Sequence, residues 1–155
     1  MRTIDDVIAV SPVFKDLDKP EIELIAGCGK NVVFPAGERM FKEGDPADVF
    51  YLIRHGRVAL ETFVANRGSI NVETIEEGEI VGWSWLLPPH KWHFTGYASE
   101  LVRAVQFDAT CLRRKCEADP LFGYELLMRF AQILMERLQS TRLRLMDLYG
   151  DGSRS

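Results

Sequence analysis

The residues best suited to chemistry crowd into one short stretch, GEIVGWSWLLPPHKWHFTGYA (78–98). It brings together Trp83, Trp85, Trp92 and Phe94, and so contains all 3 tryptophans of the chain. Broad aromatic faces beside a few polar groups suit a flat or apolar ligand, held by stacking and oriented by hydrogen bonds. Gly82 opens the segment, and Ser84, Lys91, His93 and Thr95 are the polar candidates within it. A second reading stays open beside this one, in which the indoles fill the space themselves and no ligand enters.

Elsewhere the reactive side chains point to no reaction. No nucleophile–base pair stands at a recognisable spacing, and Glu76, Glu77 and Glu79 read as an acidic, solvated turn. The histidines are His55, His90 and His93, and the i, i+3 pair among them lies in a stretch not read as helical. An iron–sulfur cluster normally asks for four cysteines, whereas this chain has 3, Cys28, Cys111 and Cys116, with no CxxC spacing. Neither a metal site nor a catalytic site is expected, and the cysteines read as ordinary thiols.

Composition bounds the rest. A chain of 155 residues, 46% apolar and 27% charged, reads as one soluble domain able to bury a core without disulfides or a structural metal. A net charge of −4 does not suggest a nucleic-acid surface, and Arg113, Arg114 and Lys115 are too short a cluster to change that. The first residues, MRTIDDVIAV, place acids where a signal peptide would be apolar. No run approaches the roughly 18–20 apolar residues of a membrane span. A cytoplasmic location without membrane attachment is expected.

The elements that must position the aromatic stretch can be read from turn chemistry and periodicity. In 11–27 the second half reads as a helix, with Asp18 as cap, Pro20 in the first turn and Gly27 as stop. Six strands follow: 31–34, 49–54, 58–63, 70–75, 94–98 and 102–107. The turns PAGE (35–38), EGD (43–45), HGR (55–57) and EGE (77–79) set glycines at the corners between them. Many short strands at this spacing predict a mainly β jelly-roll barrel with flanking helices. Residues 109–118 form a short helix, Asp119-Pro120 breaks it, and a helix over about 120–149 follows. Its stripe is Leu127, Phe130, Leu134, Leu138, Thr141, Leu145 and Leu148, at spacings of three and four. A helix of this length outruns the barrel, so the leucines and Phe130 are expected to form the seam of a parallel homodimer. One domain is thus laid out as a helical lead-in (1–29), barrel (30–108), C-terminal helices (109–149) and a disordered tail (150–155).

The segment FPAGERMFKEGDPADVFYLIRHGRVAL (34–60) resembles the cyclic-nucleotide-binding domain, the sensor module of Crp/Fnr regulators, cyclic-nucleotide-dependent kinases and gated channels. The resemblance rests on Phe34, Gly37, Glu38, Glu43, Gly44, Asp45, Tyr51, Ile53, Gly56 and Val58. It implies a ligand held between two strands by a helix-containing cassette. There, backbone amides at the helix start and an Arg hold a cyclic phosphate, and a Glu holds the ribose. Here Gly82 matches the family glycine, but Trp83 stands at the Glu position and the Arg position falls on Trp92 or His93. Removing the charged partner of a buried phosphate costs about 3–5 kcal/mol, which is roughly two to four orders of magnitude in affinity. Lys91 or His93 would serve only as a point charge. The resemblance also implies that Thr141 stands where a hydroxyl meets the nucleotide base, with Arg142 at the position contributed by a partner subunit.

These readings combine into a regulatory, non-enzymatic sensor, dimeric through its long helix, that signals to a protein partner. No cofactor is implied, and the occupant is a cyclic nucleotide or another small ligand. The alternative is a ligandless scaffold of the same fold. The chain stops at Ser155, just past the helix, so the DNA-binding domain of Crp/Fnr regulators is not expected and no direct DNA contact is anticipated.

Overall fold

A computed structural model describes residues 3–153, with side chains described to Leu148. The chain opens on two capped helices. In α1 (Ile4–Val10) the Thr3 hydroxyl accepts from the Asp6 N–H while the Asp6 carboxylate accepts from the Thr3 N–H. The same reciprocal box, Asp18 with Glu21, starts α2 (Lys19–Ala26), and Gly27 caps its end as expected. The α1 helix lies within the helical lead-in expected over 1–29, although no bounds were placed on it from its Thr-x-x-Asp start.

The strands are β1 (Gly29–Phe34), β2 (Arg39–Phe41), β3 (Val49–His55), β4 (Val58–Val64), β5 (Gly68–Ile75), β6 (Ile80–Val81), β7 (Thr95–Ala98) and β8 (Val102–Asp108). They form two antiparallel four-stranded sheets, β1-β8-β3-β6 and β2-β7-β4-β5, the double-sheet jelly roll expected. All six expected strands form. The short β2 and β6, of 3 and 2 residues, were missed because so brief a run carries no readable alternation.

Alternation along the first sheet divides the interior. Phe50, Leu52, Ile80, Val105 and Phe107 face the helices, whereas Tyr51, Ile53, Val81, Val102 and Ala104 face the second sheet. Strand β3 is therefore buried on both faces and reads as an uninterrupted apolar run.

Two helices follow the last strand, α3 (Ala109–Ala118), capped by Asp108, and α4 (Pro120–Ser153). At 34 residues α4 is about 51 Å long. Its buried face is Phe122, Leu126 and Phe130, spaced four apart and packed into the helix-side core. Phe130, expected on a dimer seam, is thus committed to the chain's own interior, at 1% exposure. Leu127, Leu138, Leu145 and Leu148 remain exposed on α4. The helix also runs through the expected tail as far as Ser153. Extending an existing helix is far easier than nucleating one, so Gly150 and Gly152 do not end it.

A second correction concerns the cysteines: Cys28 and Cys111 are joined as a disulfide, and Cys116 alone is a free thiol. The β1–β8 register explains it. Gly29 pairs with Phe107, so the residue before β1 meets the first turn of α3, at a Cα–Cα distance of 5.7 Å. Thiol titration of the unfolded, air-oxidised protein is expected to find one reactive thiol per chain rather than three, with Cys116→Ser lowering it to none.

Where α2 meets α4, the Glu21 carboxyl lies against that of Glu125. Burial, then the hydrogen bond shared with Glu125, push the Glu21 carboxyl up to about 7 from 4.5. The folded state therefore holds a proton that the unfolded chain releases near pH 4.5, so this contribution to stability is complete below that pH. It is lost as pH rises through about 7. Denaturant midpoints between pH 4.5 and 7 are expected to fall with rising pH, and Glu125→Gln is expected to flatten that slope.

Candidate functional site

Between β6 and β7 the chain forms turns and bends, with no helix. Gly82 leaves β6 at φ +99°, a left-handed conformation open to glycine. The position is tight as well, because a Cβ there would lie 2.6 Å from Trp92 Cζ3. Trp92 in turn lies flat on Phe41 of β2, with centroids 3.8 Å apart and planes 14° from parallel. Backbone hydrogen bonds lash the segment to the Gly44–Ala47 turn. Gly44 N–H donates to the Trp92 carbonyl (2.9 Å), Trp92 N–H to Asp45 (2.9 Å) and Ala47 N–H to His90 (2.7 Å). Thr95 completes the brace by accepting from Glu43 N–H at 3.0 Å.

The other indoles have different tasks. Trp85 is 1% exposed and stacks on Phe50 at 4.5 Å, with Nε1 donating to the Gly82 carbonyl. Its own carbonyl accepts from Arg113 Nη1 at 2.6 Å, which ties the segment to α3. Trp83 meets the edge of Phe130 at 5.2 Å, and its Nε1 is buried without a partner among the described residues. Ser84 Oγ and His93 Nδ1 form a hydrogen bond at 2.9 Å.

These arrangements leave a cleft of about 580 Å³. Phe41, Gly82, Trp83, Ser84, Trp92, His93 and Phe94 line one side, and Leu134 and Arg137 of α4 line another. Of the residues singled out from sequence, Gly82, Trp83, Ser84, Trp92, His93 and Phe94 therefore converge. Trp85 belongs to the core, Thr95 braces a turn, and Lys91 is exposed outside the cleft. On α4, Thr141 donates back to the Arg137 carbonyl at 2.9 Å, and both Thr141 and Arg142 are exposed.

Sequence reasoning missed Arg137 and its partners. The guanidinium reaches Glu79 Oε2 at 3.2 Å and Glu73 Oε1 at 3.6 Å, joining α4 to β5 and the β5–β6 turn. The available signal was a basic residue three positions past Leu134, beside the apolar stripe of the helix.

Among the described residues no group of three or more His, Cys, Asp or Glu could hold a metal, and no helix is long and apolar enough to cross a membrane. Gly82→Ala tests the local geometry. Strain at positive φ costs about 1–3 kcal/mol, and overpacking against Trp92 adds a further ~1–3 kcal/mol. A loss of about 2–6 kcal/mol in denaturant unfolding is expected, with altered near-ultraviolet tryptophan dichroism.

Comparison with known proteins agrees with this geometry. The family model for the cyclic nucleotide-binding domain matches residues 31–119. The CRP-like cAMP-activated global transcriptional regulator of Mycobacterium tuberculosis is 27% identical over 146 residues, covering 94% of this chain and 63% of the regulator. The cAMP-dependent protein kinase regulatory subunit of Schizosaccharomyces pombe is 28% identical over 142 residues, covering 92% of this chain and 31% of the subunit. The chain thus spans less than two thirds of either relative. A crystal structure from Geobacter metallireducens, of a protein described as cyclic nucleotide-binding, superposes with a TM-score of 0.77 at 28% identity, covering 89% of this chain and 99% of that one. A domain from Methylobacillus flagellatus shares the fold at a TM-score of 0.79 and 21% identity, covering 93% of this chain and 81% of that one. The family model covers more than half of the chain, and this chain is a member of the cyclic nucleotide-binding domain family.

Proposed function

We propose that this chain is a non-enzymatic sensory module in which a small ligand in the aromatic cleft sets the position of α4. The observation that carries this reading is the composition of the cleft wall. The cassette supplies one side and Leu134 and Arg137 of α4 supply another, so an occupant touches both at once. A ligand acts as a switch only where it binds two helix positions with different affinity, and a site shared with the moving element meets that condition. The Mycobacterium tuberculosis relative, cAMP-activated by name, supports regulation as the output.

The exposed apolar side chains of α4 support pairing with a second copy. Leu138, Leu143, Leu145, Met146 and Leu148 lie beyond the last contacts with the sheets, on a helix that has no core of its own to bury them in. The module then reports to a protein partner through α4 or the sheet surface.

A thermal-shift scan of the full chain against cyclic AMP, cyclic GMP, cyclic dinucleotides, ATP and flat aromatic metabolites tests the reading, with light scattering to give the mass. A ligand present at about a hundred times its Kd contributes near 2.7 kcal/mol, visible as a rise of a few degrees in Tm. A dimer with a clear shift for one class of ligand is the expected result. A complete absence of shifts would favour the ligandless scaffold, with its indoles serving only the core.

A further inference from the structure

We infer that the cleft selects a flat heteroaromatic ring carrying no anionic group. The inference rests on the ligand-binding reading above and names the class of ligand that the site takes.

Binding a compact anion requires either a row of free backbone amides or an uncommitted cation. The first is commonly the start of a helix, where several N–H groups converge without intrahelical partners. No helix forms between β6 and β7, so that cradle is not built. Two of the amides from the neighbouring turn are also spent, Gly44 N–H on the Trp92 carbonyl and Ala47 N–H on the His90 carbonyl.

The second requirement fails for a different reason. Among the described residues, Arg137 is the one Arg or Lys that lines the cleft. Its guanidinium already lies between two carboxylates, Glu79 at 3.2 Å and Glu73 at 3.6 Å. The three together carry one net negative charge, and Glu73 itself lines the cleft. An incoming phosphate would have to strip Arg137 from both partners and then sit beside Glu73.

The remaining wall suits an uncharged ring. Phe41, Trp83, Trp92 and Phe94 offer aromatic surface, and stacking is indifferent to any particular polar substituent. The Ser84–His93 pair can both donate and accept, which matches the mixed edge of a neutral heterocycle.

Matched pairs test this on the full-length chain by tryptophan fluorescence and calorimetry. The probes are adenosine against cyclic AMP, guanosine against cyclic GMP, and indole-3-acetamide against indole-3-acetate. In each pair that binds, the neutral member is expected to bind at least about tenfold more tightly, a difference of ~1.4 kcal/mol. Tighter binding of the anionic members would overturn the charge inference and leave the sensory reading standing. If no member of any pair binds, the sensory reading falls and this inference falls with it. A second arm uses the E73Q/E79Q double variant, with its fold checked by circular dichroism. Freeing Arg137 is expected to raise affinity for the anionic members at least about tenfold relative to wild type. A folded double variant with unchanged preference would show that the two carboxylates do not set the selectivity, which sinks the argument.

Discussion

The position of the Phe50 ring constrains more of this structure than any other single contact. Phe50 sits near the start of β3, fully buried, with Phe107 of β8 stacked against it at 4.9 Å and Trp85 at 4.5 Å. Phe130 of α4 meets it edge-on at 6.2 Å. One ring thus touches the sheet, the cassette and the long helix. Phe14 extends the cluster by packing edge-on against both Phe107 and Phe130, which brings in the lead-in segment. Aromatic pairs in these offset and edge-on geometries contribute about 0.5–1.5 kcal/mol each beyond the area they bury. Their larger consequence is geometric. A close-packed cluster of this kind resists gradual deformation and shifts between alternatives as a unit.

That constraint divides the three tryptophans, which looked alike in sequence. Trp85 points into the Phe50 cluster and holds the cassette on the core. Trp92 points the other way, onto Phe41 of the second sheet, and forms cleft wall. Trp83 stands between them, in a T-shaped contact with Phe130, and also lines the cleft. Trp83 and Trp85 both meet Phe130, so the cassette and α4 are in direct ring contact. Farther along the helix, Arg137 makes a second, electrostatic attachment to the β5–β6 side of the cleft. On the cleft side, helix α4 is therefore held by two contacts of different physics, one apolar and buried, the other an ion pair that is partly exposed.

Much of this was legible in the sequence, because its signals were local. The glycines of the EGD and HGR turns lie at positive φ, Gly44 and Gly56 both at +91°, and only a turn with that requirement places them there. Asp18, Pro20 and Gly27 marked α2 from both ends, and the expected strands lay close to the observed ones. What could not be read was register and facing. The i, i+3, i+4 pattern of α4 admits two neighbouring apolar stripes, Phe122–Leu126–Phe130 and Leu127–Leu134–Leu138, and periodicity alone does not say which one the core takes. The Cys28–Cys111 bond was hidden for the same reason, since it follows from the pairing of β1 with β8 across a separation of 83 residues. Arg137 was invisible because its meaning lies in Glu73 and Glu79, which become its neighbours only after folding.

The departures of the cassette from the family pattern form one connected change rather than several independent ones. A bulky indole at position 92 can lie on Phe41 only if the chain at position 82 has no Cβ, since that atom would stand 2.6 Å from the ring. It also needs the backbone of the segment drawn onto the Gly44–Ala47 turn, and those hydrogen bonds hold the end of a stretch that runs through turns and bends without a helix. Without a helix there is no cluster of free amides for a phosphate. The one Arg or Lys that lines the cleft among the described residues, Arg137, is itself found between two carboxylates. Placing an Arg at position 92 alone, one of the two positions on which the family arginine falls, would therefore not build an anion site. It would remove the ring that Phe41 stacks on, place a second cation beside a satisfied Arg137, and leave the backbone still committed to the Gly44–Ala47 turn. The cleft changes its preference as a whole or not at all, because each of its parts is held in place by the next.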